Sequence, residues 1–228
     1  MPRPSSDTPK ATKHKASRIR KIPPNTRSVT GRRQSAKNGR AVGVESGLEA
    51  HLVAVLEFDP QYLRYEVQVP IEYRAQNGRY IEAHPDVLVY FADQDKQPQL
   101  IDAKYRSEIF SKWTELKPRF VGACRYARDR GWKYRLLSEV EIKTTYSANA
   151  VWLLPYRRRR PPSDDQLLIL EILSKTRDAT PKTLMNRCSS DVTRVGALLP
   201  TLWHLVATFK ISVDLNQPIN MASRIWIA

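Results

Sequence analysis

The chain holds 228 residues with a formal net charge of +15 and a sequence pI of about 10.0, so a polyanion is the expected partner. Its two cysteines, Cys124 and Cys188, are too few and too far apart for a zinc site or a disulfide framework, which fits a reducing compartment. No apolar run approaches the ~20 residues of a membrane span, and no signal-peptide core is present.

The first 40 residues carry twelve Lys and Arg against one acid, Asp7. A stretch so charged and so poor in apolar residues buries too little surface to offset its ordering entropy. Residues 1–41 are therefore read as a basic, flexible arm, with Arg32 and Arg33 as candidate DNA contacts. Helical spacing follows in Leu48, Leu52, Val55 and Leu56, with Ser46 as N-cap, Glu49 in the first turn and Asp59-Pro60 as the stop. Alternating aromatic and β-branched residues predict a strand over 62–73, a turn at Asn77-Gly78, and a returning strand over 80–91. A third strand over 97–105 precedes a helix over 113–130, whose apolar stripe is Leu116, Phe120, Cys124 and Ala127. Pro118 kinks that helix or marks its start, Gly131 closes it, and residues 133–137 give another strand. The order predicts an α/β fold, a mixed β-sheet flanked by helices, over residues 42–156.

The run Arg157-Arg158-Arg159-Arg160-Pro161-Pro162 reads as a linker over 157–163. Beyond it, helices are expected over 164–175, from the Thr180-Pro181 cap to Cys188, and over 191–209. Two short strands, 210–215 and 224–227, complete a winged-helix-like C-terminal domain over 164–228. The last helix offers only Arg194 as a base-reading side chain, so protein docking is the expected role of this domain rather than DNA reading.

Two segments carry the chemistry: His84-Pro85-Asp86 and Ile101-Asp102-Ala103-Lys104. Asp86 precedes four apolar residues, a place where an aspartate needs a reason, and Lys104 shares strand parity with Asp102. Each alone has a plain reading, a strand-start aspartate or a solvated strand edge. Together, on neighbouring strands, they suit a metal-dependent phosphodiester nuclease. Glu49 is the third acid, also readable as a capping glutamate; Glu45, Glu57 and Glu66 are poorer candidates. His84 and Gln68 are candidate phosphate or cleft contacts, and Arg106, Arg157 and Arg158 candidate DNA contacts. Mg²⁺, with Mn²⁺ as a substitute, is expected on Glu49, Asp86, Asp102 and the Ala103 carbonyl. Lys104 either activates the attacking water or stabilises developing charge.

These residues resemble the PD-(D/E)xK nuclease superfamily and, more closely, the TnsA family. The resemblance runs through Ser46-Gly47-Leu48-Glu49, Leu56-Glu57-Phe58-Asp59-Pro60, Tyr65-Glu66-Val67-Gln68, His84-Pro85-Asp86-Val87-Leu88 and Asp102-x-Lys104, over residues 42–228. It implies a restriction-endonuclease-like fold for the mixed β-sheet and its flanking helices, and the endonuclease subunit of a heteromeric transposase, cutting the 5′ strands of double-stranded DNA at transposon ends. The implied partners are the DDE transposase TnsB and the AAA+ regulator TnsC, the latter through the C-terminal region. The implied catalytic residues are Glu49, Asp86, Asp102 and Lys104, where some relatives carry glutamine at the position of Asp102. The implied location is the bacterial cytoplasm, at the nucleoid during transposition. A stand-alone restriction or repair nuclease on the same fold, or a non-catalytic DNA-binding assembly factor, are the competing readings.

Overall fold

The computed structural model describes residues 31–75, 77–176 and 179–228. The first thirty residues of the expected arm lie outside that range. The remainder of the arm departs from expectation: Gly31–Ser35 (β1) and Arg40–Val44 (β2) pair antiparallel. Val42 and Val44 are buried beneath the following helix, and that burial is what a purely charged arm lacks. The expected boundary at residue 41/42 thus falls inside β2.

Gly47–Phe58 forms α1, whose Ser46 Oγ accepts from the Glu49 amide at 3.1 Å. Near its end, Glu57 is buried and ties the hairpin down. Ser35 Oγ donates to it at 2.7 Å, the Ala36 amide at 2.7 Å and the Tyr65 hydroxyl at 3.0 Å. Glu57→Ala leaves these donors without a partner, and a loss of about 2–3 kcal/mol is expected. A urea midpoint equal to that of the wild type would show that the hairpin does not depend on this carboxylate.

Tyr62–Val67 (β3), Val87–Phe91 (β6), Gln99–Ala103 (β7) and Lys133–Leu137 (β8) make a mixed sheet in the order β3-β6-β7-β8. The first two pairings are antiparallel, and β7 runs parallel to β8. The two long strands predicted over 62–73 and 80–91 are each broken. Their outer halves, Ile71–Arg74 (β4) and Tyr80–Ala83 (β5), form a separate antiparallel ribbon. The break passes through Gln68, at φ 52°, Pro70 and Pro85. Neither proline can donate to a ladder, and only the Gln68 and Val69 amides, bonded to the Asp86 and Pro85 carbonyls, bridge the gap. Asp86 therefore stands at the mouth of β6 rather than within a strand.

One sheet face (Tyr65, Val87, Val89, Ile101, Ala103) packs on Leu48, Leu52, Val53 and Leu56 of α1. The other (Leu88, Leu100) packs on Ala123 and Ala127 of a helix over Trp113–Arg128 (α3). A short helix, Arg106–Ser111 (α2), leads into α3. Pro118 lies inside α3, and Gly131 stands at φ 70° just beyond its end.

Glu139–Ile142 (α4) and Thr145–Arg157 (α5) follow, then Ser163–Ser174 (α6), Pro181–Cys188 (α7) and Val192–Ala207 (α8). A two-stranded antiparallel ribbon, Ile211–Val213 (β9) and Ile225–Ile227 (β10), closes the chain. The Arg/Pro stretch does not mark a gap between separate cores. Phe58 of α1 and Ala150 and Leu153 of α5 share one buried cluster with Ile169, Leu202 and Leu205 of the C-terminal helices. No helix among the described residues is long and apolar enough to cross a membrane.

Candidate active site

The break between the four-stranded sheet and the β4–β5 ribbon opens a cleft of about 350 Å³. Glu49 enters it from the first turn of α1, Gln68 from the end of β3, and His84 and Asp86 from the β5–β6 junction. Lys104 enters from just beyond β7 and Arg119 from α3. Six of the residues singled out in the sequence, Glu49, Gln68, His84, Asp86, Lys104 and the poorer candidate Glu45, thus share one cavity.

Asp86 is buried, and its Oδ2 accepts from the Ala103 amide at 2.7 Å. Lys104 Nζ lies 3.6 Å from the same oxygen and 3.2 Å from the Ala103 carbonyl. Glu49 is also buried; its oxygens accept from Ser46 Oγ at 3.0 Å and from the Glu45 amide at 2.9 Å. It is therefore both a cap of α1 and a wall of the cleft. Burial, then the neighbouring charge of Asp86, pushes the Glu49 carboxyl above its ordinary range.

Asp102 is fully buried and is not among the residues of the cleft wall. It shares its sheet face with Leu100, so it meets α3 and β8. Arg119 Nη2 donates to its Oδ1 at 2.8 Å and the Tyr134 hydroxyl to its Oδ2 at 2.9 Å. Burial first and the charge of Asp86 second raise its carboxyl above the usual range, while Arg119 opposes them. The same Arg119 nitrogen donates to the His84 carbonyl at 2.8 Å, joining α3 to the segment that carries Asp86.

Arg119 and Tyr134 are the site residues that sequence reading missed. The buried side of α3 is Phe120, Ala123 and Ala127, whereas Cys124 of the expected stripe is exposed. Arg119 lies one turn before Ala123, on the sheet-facing side. The small pair Gly122-Ala123 is the one sequence signal of a close helix–sheet approach here.

The expected metal set is not gathered into one cluster. Among the described residues no group of three or more His, Cys, Asp or Glu side chains stands ready to hold an ion. Asp102 is occupied by Arg119 and Tyr134, and the Ala103 carbonyl by Lys104. Four carboxylates line the cleft, Glu45, Glu49, Glu82 and Asp86. The buried pair among them, Glu49 and Asp86, fits a hard cation, since the charge of Asp86 helps to raise the Glu49 carboxyl and both offer oxygen donors.

The remaining candidates lie elsewhere. Arg106 starts α2, where its amide bonds the Glu139 carboxylate at 2.9 Å. Arg32, Arg33 and Arg158 line a different chamber of about 580 Å³, between the β1–β2 hairpin and α5. Arg157 turns its guanidinium toward the end of α1, where it donates to the Phe58 carbonyl. A helix C-terminus presents unpaired carbonyls, and this arginine satisfies one.

Two family models match the chain. One, described as TnsA-like endonuclease N terminal, matches residues 53–139 and spans Asp86, Asp102 and Lys104. The other, described as TnsA endonuclease C terminal, matches residues 141–215. The matches meet ahead of α5, in keeping with the core that α5 shares with the later helices, and the Arg/Pro stretch falls inside the second match. No curated protein matches the chain.

Proposed function

Because the chain belongs to the TnsA endonuclease family, we propose that it is the metal-dependent DNA endonuclease of a transposition complex and cuts the 5′ strands at transposon ends. The observation that carries this reading is the cleft where Asp86, Glu49 and Lys104 meet at a break in the sheet. Binding alone has no use for two buried acids facing a polyanion.

Mg²⁺, or Mn²⁺ in its place, would be held by Asp86 and Glu49, with Asp102 and the Ala103 carbonyl as further donors, and would polarise the phosphate and acidify a bound water. The Ala103 amide fixes Asp86, and the capping bonds to Glu45 and Ser46 fix Glu49, so both acids are held before DNA arrives. Lys104 places a cation at the same wall, where it offsets charge growing on the phosphate oxygens. Gln68 and His84 line the path of the strand.

The C-terminal region is read as a winged-helix-like unit that docks the AAA+ regulator TnsC rather than DNA. Its longest helix, α8, offers a single cation, Arg194, on its exposed N-terminal half, and that Arg194 is paired with Asp165. Neither feature suits a helix that reads bases. The DDE transposase TnsB is the expected partner at the 3′ strands.

The test is cleavage of end-labelled transposon-end DNA by the full chain with TnsB and TnsC, in Mg²⁺ and in chelator. Cuts on the 5′ strands are expected in Mg²⁺, none in chelator, and recovery on adding Mn²⁺. Equal cleavage in chelator would overturn the metal role. Strong cutting without the partners would point to a stand-alone nuclease.

A further inference from the structure

A second chamber, of about 650 Å³, lies against the cleft between the β4–β5 ribbon and α3. Tyr73 and Ile81 belong to the walls of both cavities. Its floor is apolar, with Trp113, Pro118 and Val121 from α3 facing Ile81 from the ribbon. Its charged lining is Arg74, Lys117 and Arg125, with no acid among the lining residues. Among the described residues neither Lys117 nor Arg125 forms an ion pair, and Trp113 is 46% exposed. Its ring packs against Phe120 at 6.3 Å between centroids, and the indole otherwise stands on the chamber wall.

We propose that this chamber receives an unpaired nucleotide of the DNA substrate, next to the phosphate that lies in the cleft; the proposal rests on the nuclease reading above. An indole beside a ring of cations offers a stacking face for a base and charge for its flanking phosphates. The volume suits a single nucleotide, whereas a paired base would meet only the rim. Taking one nucleotide out of the stack costs least where a duplex already ends or frays, so the chamber selects DNA by its local opening rather than by base sequence.

The experiment is fluorescence anisotropy with the full chain in chelator, where no cutting occurs. The probes are a labelled blunt duplex and the same duplex carrying a short unpaired tail. Wild type is expected to hold the tailed duplex about tenfold more tightly. Trp113→Ala is expected to erase that difference and leave the blunt duplex unchanged. Lys117→Glu, an exposed change that leaves the fold intact, is expected to weaken the tailed complex and flatten its salt dependence. Equal wild-type affinity for both probes would overturn the proposal. So would an equal loss on both probes in both variants, which would make the chamber a plain duplex surface. A chain that prefers the tail yet never cuts transposon-end DNA in Mg²⁺ with TnsB and TnsC present keeps the chamber and loses the nuclease reading; one that cuts there but shows no tail preference does the reverse.

Discussion

Asp86→Ala is expected to lower DNA cleavage by about 10³-fold or more while the chain still folds. Asp86 serves the site in two ways that one substitution cannot separate. Its charge faces the cleft beside Glu49, and its Oδ2 holds the Ala103 amide at 2.7 Å. Alanine removes both, and a buried amide left without an acceptor costs about 1–3 kcal/mol. Asp86→Asn separates them, because its side-chain oxygen still accepts from Ala103 but carries no charge. The asparagine variant is expected to regain most of the wild-type urea midpoint and none of the cleavage. If it cuts like the wild type, the charge of Asp86 plays no role in the chemistry.

Arg119→Ala is expected to destabilise the fold by about 3–5 kcal/mol, the usual cost of leaving a buried charge without its partner. Asp102 is fully buried, and Arg119 is the cation bonded to it. Tyr134 remains as a neutral donor, which is too little to hold an ionised carboxylate in that setting. The pH dependence follows from the same balance. Burial and the charge of Asp86 already raise the Asp102 carboxyl above its ordinary 3.8, and losing Arg119 raises it further. The folded state then binds this proton at pH values where the unfolded chain has released it, so stability falls as pH climbs through that window. The deficit of Arg119→Ala should accordingly be smaller in mild acid than at neutral pH. Adding Asp102→Asn should restore much of the loss, and a double-mutant cycle reads the coupling directly. A deficit that is constant with pH and untouched by Asp102→Asn would mean that Arg119 acts by packing alone.

Much of this arrangement is legible in the residues. Leu48, Leu52 and Leu56 announce α1, the alternation around Tyr65 and Val67 announces β3, and Asn77-Gly78 announces the outer ribbon's turn. Asp86 and Lys104 stand out because acids and lysines at the ends of apolar strands need a reason, and they share the cleft. What escapes the sequence is longer in range. The alternation of residues 62–73 continues across Gln68 and Pro70, so periodicity cannot show the chain leaving one sheet for another. Thr145–Arg157 does not read as a helix because its interior holds Pro155 and its buried positions include Ser147 and Asn149. Asp102 has the strand parity expected of it, yet its partner Arg119 comes from a helix whose buried side differs from its apparent apolar stripe. Parity tells which face a side chain takes and nothing of what waits there.

Gly122 on α3 carries a consequence for how such a chain can vary. A Cβ built at that position would stand 2.2 Å from the Tyr73 ring, and Tyr73 forms the partition between the cleft and the neighbouring chamber. Positions 122 and 73 are therefore one choice rather than two. A chain that gains a side chain at 122 must move or shrink the ring at 73, and either change alters the wall between the two cavities. The bare backbone at 122 and the aromatic ring at 73 thus act as a single partition, and neither can be exchanged without reshaping the groove on both sides of it.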